Sequence, residues 1–147
     1  MKLIKEHVLF GVLNSAEELN ILQNTLPNHG WRIVDFRIFP NSPSDVTTGP
    51  DTGKSAKLST IPGARTNFYD YMLNTTVGVA SYCGGVQSNI IDTSTLIVND
   101  LFILNMNDNP GVSNSGVSYQ VVLEQYDISD DEQVLAIIRE NSQAIDG

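Results

Sequence analysis

Six segments rich in Val, Ile, Leu, Phe and Thr run through the chain, and turn-forming residues separate them. β-branched and aromatic residues favour strands, whereas Gly, Pro, Asn and Ser between such segments mark turns. Each strand has to bury an apolar face against another layer. We therefore predict a mostly β chain, an antiparallel β-sandwich or jelly roll, with strands near residues 8–13, 31–39, 56–61, 75–83, 95–106 and 117–126.

The most apolar of these segments spans residues 95–106. Ile97, Leu101 and Ile103 alternate there with a second apolar set that faces the opposite way. A strand that is apolar on both faces is covered on both faces. This strand is therefore either central in the sandwich, or it presents Ile97, Leu101 and Ile103 to another subunit.

Two further features concern how the strands connect. Asn99 and Asp100 in the middle of the apolar segment indicate a bulge or a bend. We expect residues 117–126 to return beside that segment as the second arm of a long hairpin.

Residues 8–13 are apolar throughout, which predicts a short strand buried on both faces.

A capping-box pattern begins at Ser15, with Glu18 three residues later. In a capping box each of the two side chains satisfies a backbone N–H at the start of a helix. The pattern predicts a short helix in the N-terminal region, ending before Pro27.

The same pattern recurs at Ser129, where Asp130, Asp131 and Glu132 follow. Carboxylates in a first helical turn are favoured by the helix dipole. This pattern predicts a short C-terminal helix at about residues 130–142. The acidic turn is in the first place a cap, and in the second place a candidate docking surface for a basic partner.

Strict alternation predicts that Phe36 and Ile38 share one face of the strand at residues 31–39, and that Trp31 and Ile33 share the other. Asp35 and Arg37 stand two residues apart on that second face. Side chains at this spacing are neighbours on a sheet surface. They are able to pair with each other or to reach a neighbouring chain, so we include both among the candidate interface residues.

Length and charge limit the functions that are open to the chain. Its 147 residues suit one domain, 1–147. The formal net charge is −9, and an acidic surface repels phosphate backbones, so we expect no direct contact with nucleic acid. No apolar run approaches 18 residues, and we expect no membrane contact.

The sequence approaches several nucleotide-binding and metal-binding motifs, but each of them is incomplete. Residues 49–55 approach a phosphate-binding loop but have three residues between the glycines instead of four. Residues 105–116 lack the Asp, Gly and Glu positions of an EF-hand loop. Cys83 is the single cysteine, and only His7 and His29 could join it as soft metal ligands. We therefore expect no enzyme activity, no cofactor and no resident metal.

Aromatic residues suggest one alternative, a carbohydrate-binding β-sandwich module. Trp31 together with Phe68, Tyr69 and Tyr71 could form a platform on which sugar rings stack. Core packing is the competing explanation for the same side chains.

Three pieces of the chain, residues 11–15, 30–40 and 117–143, resemble small jelly-roll structural proteins of bacterial viruses. The resemblance implies a multi-copy capsid decoration or cement protein of the virion, assembled in the host cytoplasm. It also implies a homo-oligomer, a trimer, that touches the major capsid protein and carries no catalytic residues. A capsid, tail or fibre building block is the alternative within the particle.

Overall fold

The computed structural model describes residues 1–14, 17–23, 27–40, 54–62, 76–83, 85–106 and 116–146. Within these residues the chain forms eight strands and then one helix. The strands are β1 (Lys2–Leu13), β2 (Glu18–Gln23), β3 (His29–Pro40), β4 (Lys54–Ser59), β5 (Thr76–Cys83), β6 (Val86–Ile91), β7 (Asp100–Asn105) and β8 (Val117–Asp127), and the helix is α1 (Asp130–Asp146).

Two antiparallel sheets pack together as a sandwich, which confirms the predicted fold class. One sheet has the strand order β1-β8-β3, and the other has the order β2-β7-β4-β5-β6. β3 lies against β4, β5 and β6, so the core fills the space between the sheets. Its largest fully buried apolar side chains are Phe36, Leu13, Ile33, Ile38, Leu58, Ile97, Leu101, Ile103, Leu104 and Leu123.

The strands pair in nested order. β1 pairs with β8, β2 with β7, and β4 with β5. A jelly roll pairs its eight strands in this way, first with eighth and so on inward, with the third beside the sixth. Here β6 is hydrogen-bonded through its backbone to β5 instead, although it also contacts β3.

Side-chain amides join β6 to β3. The Gln87 amide nitrogen donates to the carbonyl of Ile38 at 2.8 Å, and the Gln87 amide oxygen accepts the backbone N–H of Ile38 at 3.1 Å. The Asn89 amide nitrogen donates to the carbonyl of Phe36 at 2.8 Å. These amides take the place of backbone pairing and close that side of the sandwich.

A β-bulge at Val34 sets which side chains of β3 reach the core. The register with β8 shifts there, and Val34 itself is exposed. Trp31 and Ile33 point inward before the bulge, and Phe36 and Ile38 point inward after it. Strict alternation along the sequence places these two pairs on opposite faces, because an inserted residue reverses the alternation.

The short helix predicted after Ser15 is wrong, because residues 18–23 form β2 and pair with β7. Asn14 and Glu17 form a turn instead, in which the N–H of Glu17 donates to the Asn14 carbonyl and the N–H of Asn14 donates to the Glu17 carboxylate, both at 3.1 Å. The apolar residues of β2 pack against the core. Pairing and burial outweigh a cap on a segment too short to hold a helix by itself.

The long hairpin predicted from residues 95–106 to residues 117–126 is also wrong. β7 lies between β2 and β4, whereas β8 crosses to the other sheet and lies between β1 and β3. The predicted bend at Asn99 and Asp100 is confirmed, since β7 begins only at Asp100. Before the bend, Ile97 bridges to Trp31 with two backbone hydrogen bonds of 2.8 Å.

Asp92 holds the turn that follows β6. One of its carboxylate oxygens accepts the backbone N–H of Ser94 at 2.9 Å, the Ser94 hydroxyl at 2.8 Å and the backbone N–H of Thr95 at 3.2 Å. The other oxygen accepts the Thr95 hydroxyl. Partial burial raises the pKa of Asp92, but the hydrogen bonds outweigh it, so the net pKa is lowered.

Candidate interaction surfaces

The outer face of the three-stranded sheet carries exposed apolar side chains. Val8, Phe10 and Val12 project outward from β1, and Phe10 is 72% exposed. Val34 and Phe39 extend this surface onto β3. We call these five residues the outer sheet face. Ser118 and Gln120 of β8 lie between the two groups. Exposed apolar residues grouped on one face are typical of protein-contact surfaces.

The inner face of β1 packs against the core, whereas its outer face is exposed. Leu13 is fully buried, and Gly11 lies so close to the Tyr119 ring that a Cβ atom there would come within 2.3 Å of the hydroxyl. The prediction that residues 8–13 are buried on both faces is therefore wrong. The charged residues at 2–6, which extend the same strand, were the available signal, because such residues are typical of edge strands.

The structure brings Asp35 and Arg37 together at the edge of this surface. The Arg37 Nε donates to the Asp35 carboxylate at 2.9 Å. The Asn89 amide nitrogen donates to the other Asp35 oxygen at 3.3 Å. Arg37 stays more than half exposed, at 55%. The ion pair is thus anchored to the closed side of the sandwich and borders the outer sheet face.

Ile97, Leu101 and Ile103 are not on a surface. All three are fully buried in the core between the two sheets. The sequence left two explanations for their apolar face, and the structure corrects the interface assignment in favour of the core. β7 is flanked by β2 and β4, and its inward side chains meet the other sheet of the same chain.

The second capping box is present at the start of α1. The Ser129 hydroxyl accepts the N–H of Glu132 at 3.2 Å, and the Glu132 carboxylate accepts the N–H of Ser129 at 3.3 Å. The N–H of Ser129 thereby holds the pKa of Glu132 below its usual range. Asp130 accepts the Asn28 amide at 2.6 Å. Asp130 and Glu132 are thus fixed by hydrogen bonds from Asn28 and Ser129. Asp131 is exposed beside them.

The apolar side of α1 is exposed. Val134, Leu135 and Ile138 are each more than half exposed, and Leu135 reaches 66%. The helix begins at the predicted residue and extends to Asp146, beyond the predicted end. Its described side chains therefore add a second uncovered apolar surface, next to the acidic turn.

A shallow cavity of about 270 Å³ lies between the start of β1, β3 and α1. Its lining includes Arg32, Leu96, Glu132 and Leu135. The guanidinium carbon of Arg32 lies 5.4 Å from the centre of the Tyr126 ring, which is cation–π distance. The cavity is smaller than typical ligand pockets of roughly 300–1,000 Å³.

Other site types find little support among the described residues. Trp31 is only 6% exposed and packs in the core, so its ring has no free face for a sugar. Phe68, Tyr69 and Tyr71 lie outside the described residues. In the described part of the chain no group of three or more His, Cys, Asp or Glu could hold a metal ion. No helix there has the length and apolar character of a membrane span.

Comparison with protein-family models, with curated proteins and with solved structures found no match to this chain.

Proposed function

We propose that the chain is a structural protein of a virus particle, a capsid decoration or cement protein that binds and bridges major capsid subunits. The observation that carries the proposal is the outer sheet face, which presents exposed apolar side chains on the three-stranded sheet. Exposed apolar side chains on the surface of a sheet suit contact with another protein better than a small ligand, which binds in a concave pocket.

The resemblance of residues 11–15, 30–40 and 117–143 to phage jelly-roll proteins directs the proposal to the virion. In a particle, many copies would bind one lattice, and weak contacts would add up through effective concentration. The partner is then the major capsid protein, and the acidic chain makes no contact with the genome. A capsid, tail or fibre building block would use the same surface. The trimer implied by the resemblance stays a prediction that mass measurement tests.

The carbohydrate-binding alternative is not carried forward. It depended on Trp31 as a stacking group, and that side chain is buried in the core. Enzyme activity is likewise not proposed, because the motifs of catalysis are incomplete in the sequence.

Co-expression with the major capsid gene from the same genome tests the proposal. Particles are purified on a density gradient, and the amount of this chain per particle is measured by quantitative mass spectrometry. We expect the wild-type chain to migrate with particles and to raise the temperature at which they break open. A chain that stays at the top of the gradient in every preparation would overturn the proposal.

Matched variants locate the binding surface. Phe39→Glu places a charge on the outer sheet face and should lower occupancy at least about tenfold, because avidity amplifies a small loss at each site. Val86→Glu places the same charge at an exposed apolar position on β6, in the other sheet, and should leave occupancy unchanged. Equal losses in both variants would contradict the assignment of binding to this face.

A further inference from the structure

We propose that a second copy of this chain pairs with the outer edge of β1, so that the two three-stranded sheets join into one continuous sheet across a two-fold axis. β1 lies at one end of its sheet, and no described strand pairs with its other side. Such an edge presents a row of backbone N–H and C=O groups, which are able to pair with another strand. The inference concerns self-association and does not depend on binding to a capsid.

The two sides of the sandwich differ in how they are closed. On the side of β3 and β6, the amides of Gln87 and Asn89 close the gap between the sheets. On the opposite side, β1 and β2 are both end strands, and they contact each other. Most of the apolar side chains that pack against the core but stay partly exposed lie on these two strands: Leu9, Leu19, Ile21 and Leu22. A second copy on this side would complete the burial of the core.

Edge protection is uneven along β1. Natural edge strands carry lysines, other charges or bulges that prevent pairing with other chains. The first half of β1 has Lys2, Lys5, Glu6 and a register shift between Leu3 and Lys5. The second half, residues 7–13, has no lysine, acid, proline or register shift. β2 differs from it, because β2 has its own register shift after Asn20.

Symmetry fixes the register. A two-fold axis perpendicular to the sheet keeps the outer face outward in both copies, so each outward residue must lie opposite another outward residue. The regular stretch of β1 runs from Lys5 to Leu13 and is centred on Leu9. Pairing about Leu9 places Val8 opposite Phe10 of the second copy and keeps like charges apart. The nine opposed pairs exchange roughly eight to ten backbone hydrogen bonds, which is in the range of a typical interface.

The outer surfaces of the two copies also join. Val8 and Phe10 of each copy meet those of the other across the axis, and apolar or aromatic pairs across strands are favourable. The outer sheet face therefore becomes one continuous surface twice as wide. This symmetry gives a dimer rather than the trimer that the resemblance implies, because the edge of β1 meets an identical edge and the pairing closes on itself.

Light scattering over a dilution series tests the pairing. We expect a dimer for the wild type. Phe10→Glu should raise the dissociation constant of the dimer at least about tenfold, because each new carboxylate lies diagonally across the axis from Glu6 and from the new carboxylate of the second copy. Phe10 is largely exposed, so the variant should fold. Phe39→Glu alters the same face at β3, two strands away, and should remain dimeric. A monomer at every concentration, or a trimer that Phe10→Glu leaves intact, would overturn the inference.

Cysteine crosslinking tests the register in a Cys83→Ser background. Opposed side chains have Cβ atoms about 4.5–5.5 Å apart, close to disulfide reach, whereas diagonal neighbours lie at roughly 7–8 Å. A mixture of Val8→Cys and Phe10→Cys chains should therefore oxidise to the mixed disulfide faster than either chain alone. Peptide mass spectrometry identifies the linked pair. Failure to form the mixed disulfide in preference to the two homodimeric ones would refute the pairing about Leu9. Loss of capsid binding with an intact dimer would contradict only the proposed function.

Discussion

Removing the amide of Gln87 should break two hydrogen bonds that connect β6 to β3 and lower the stability of the fold. We choose Gln87→Met, because methionine keeps the length of the side chain and has no amide. The variant loses a donor 2.8 Å from the Ile38 carbonyl and an acceptor 3.1 Å from the Ile38 N–H. The Ile38 side chain is fully buried, so this joint borders the core.

The expected loss follows from two hydrogen bonds. A net contribution of about 0.5–1.5 kcal/mol for each bond gives about 1–3 kcal/mol in the free energy of unfolding. Water can reach the edge of the sheet and satisfy part of the freed backbone, which places the expectation near 2 kcal/mol. For a chain of 147 residues, that corresponds to a decrease in Tm of roughly 6 °C.

Urea unfolding followed by tryptophan fluorescence measures this loss. Trp31 is the single tryptophan and is buried, so its emission reports the opening of the core. Ser88→Ala on the same strand is the control, since Ser88 is exposed and should change stability by less than about 0.5 kcal/mol. If Gln87→Met matches Ser88→Ala, the amides do not join the sheets and the reasoning fails.

Three further substitutions probe other parts of the fold. Asp92→Asn should cost about 1–2 kcal/mol at pH 7. Because the folded pKa of Asp92 is lowered, this difference should shrink as the pH falls through that pKa. An equal loss at pH 7 and at the lowest pH at which both chains still fold would contradict it. Gly11→Ala should destabilise by at least about 1 kcal/mol in urea, because its Cβ would overlap the Tyr119 ring; unchanged stability would mean that the ring moves aside. Ser129→Ala should lower the free energy of unfolding by about 1 kcal/mol and reduce helicity by circular dichroism, whereas Ser129→Asp should retain both.

Local signals in the sequence predicted the elements better than their partners. The strands at residues 31–39, 75–83 and 117–126 correspond to β3, β5 and β8, and the capping box at Ser129 starts α1. Each of these depends on residues that lie next to one another in the chain. The pairing of β8 with β1 depends on residues more than a hundred positions apart, and no short pattern encodes it. A neighbouring strand is therefore not a safe guide to a hairpin partner in a nested sheet.

Two errors have a common cause. The capping pattern at Ser15 predicted a helix, and strict alternation predicted the faces of β3, but both rules apply to isolated segments. Pairing with β7 made the first segment a strand, and the bulge at Val34 changed the second. Tertiary contacts outweigh local preference when the segment is short and its partner strand is already fixed. The same limit applies to the outer sheet face. The charged residues at 2–6 indicate an edge strand, but they do not tell which apolar face of β1 another layer covers.

A protein that bridges two capsid subunits needs a second contact besides the outer sheet face, and the apolar side of α1 suits that contact better than its acidic first turn. Asp130 and Glu132 keep their negative charge, but they already accept hydrogen bonds from Asn28 and from the cap, so fewer of their lone pairs are open to a partner. Leu135 and its apolar neighbours are uncovered. The two candidates for this second contact respond differently to salt. Binding through the acids should weaken as the Debye length falls to about 3 Å at 1 M salt, whereas apolar binding should persist. We expect particle occupancy in the gradient assay to survive 1 M NaCl and to fall in Leu135→Ser. Loss of the wild-type chain from particles at high salt would instead assign docking to the acidic turn.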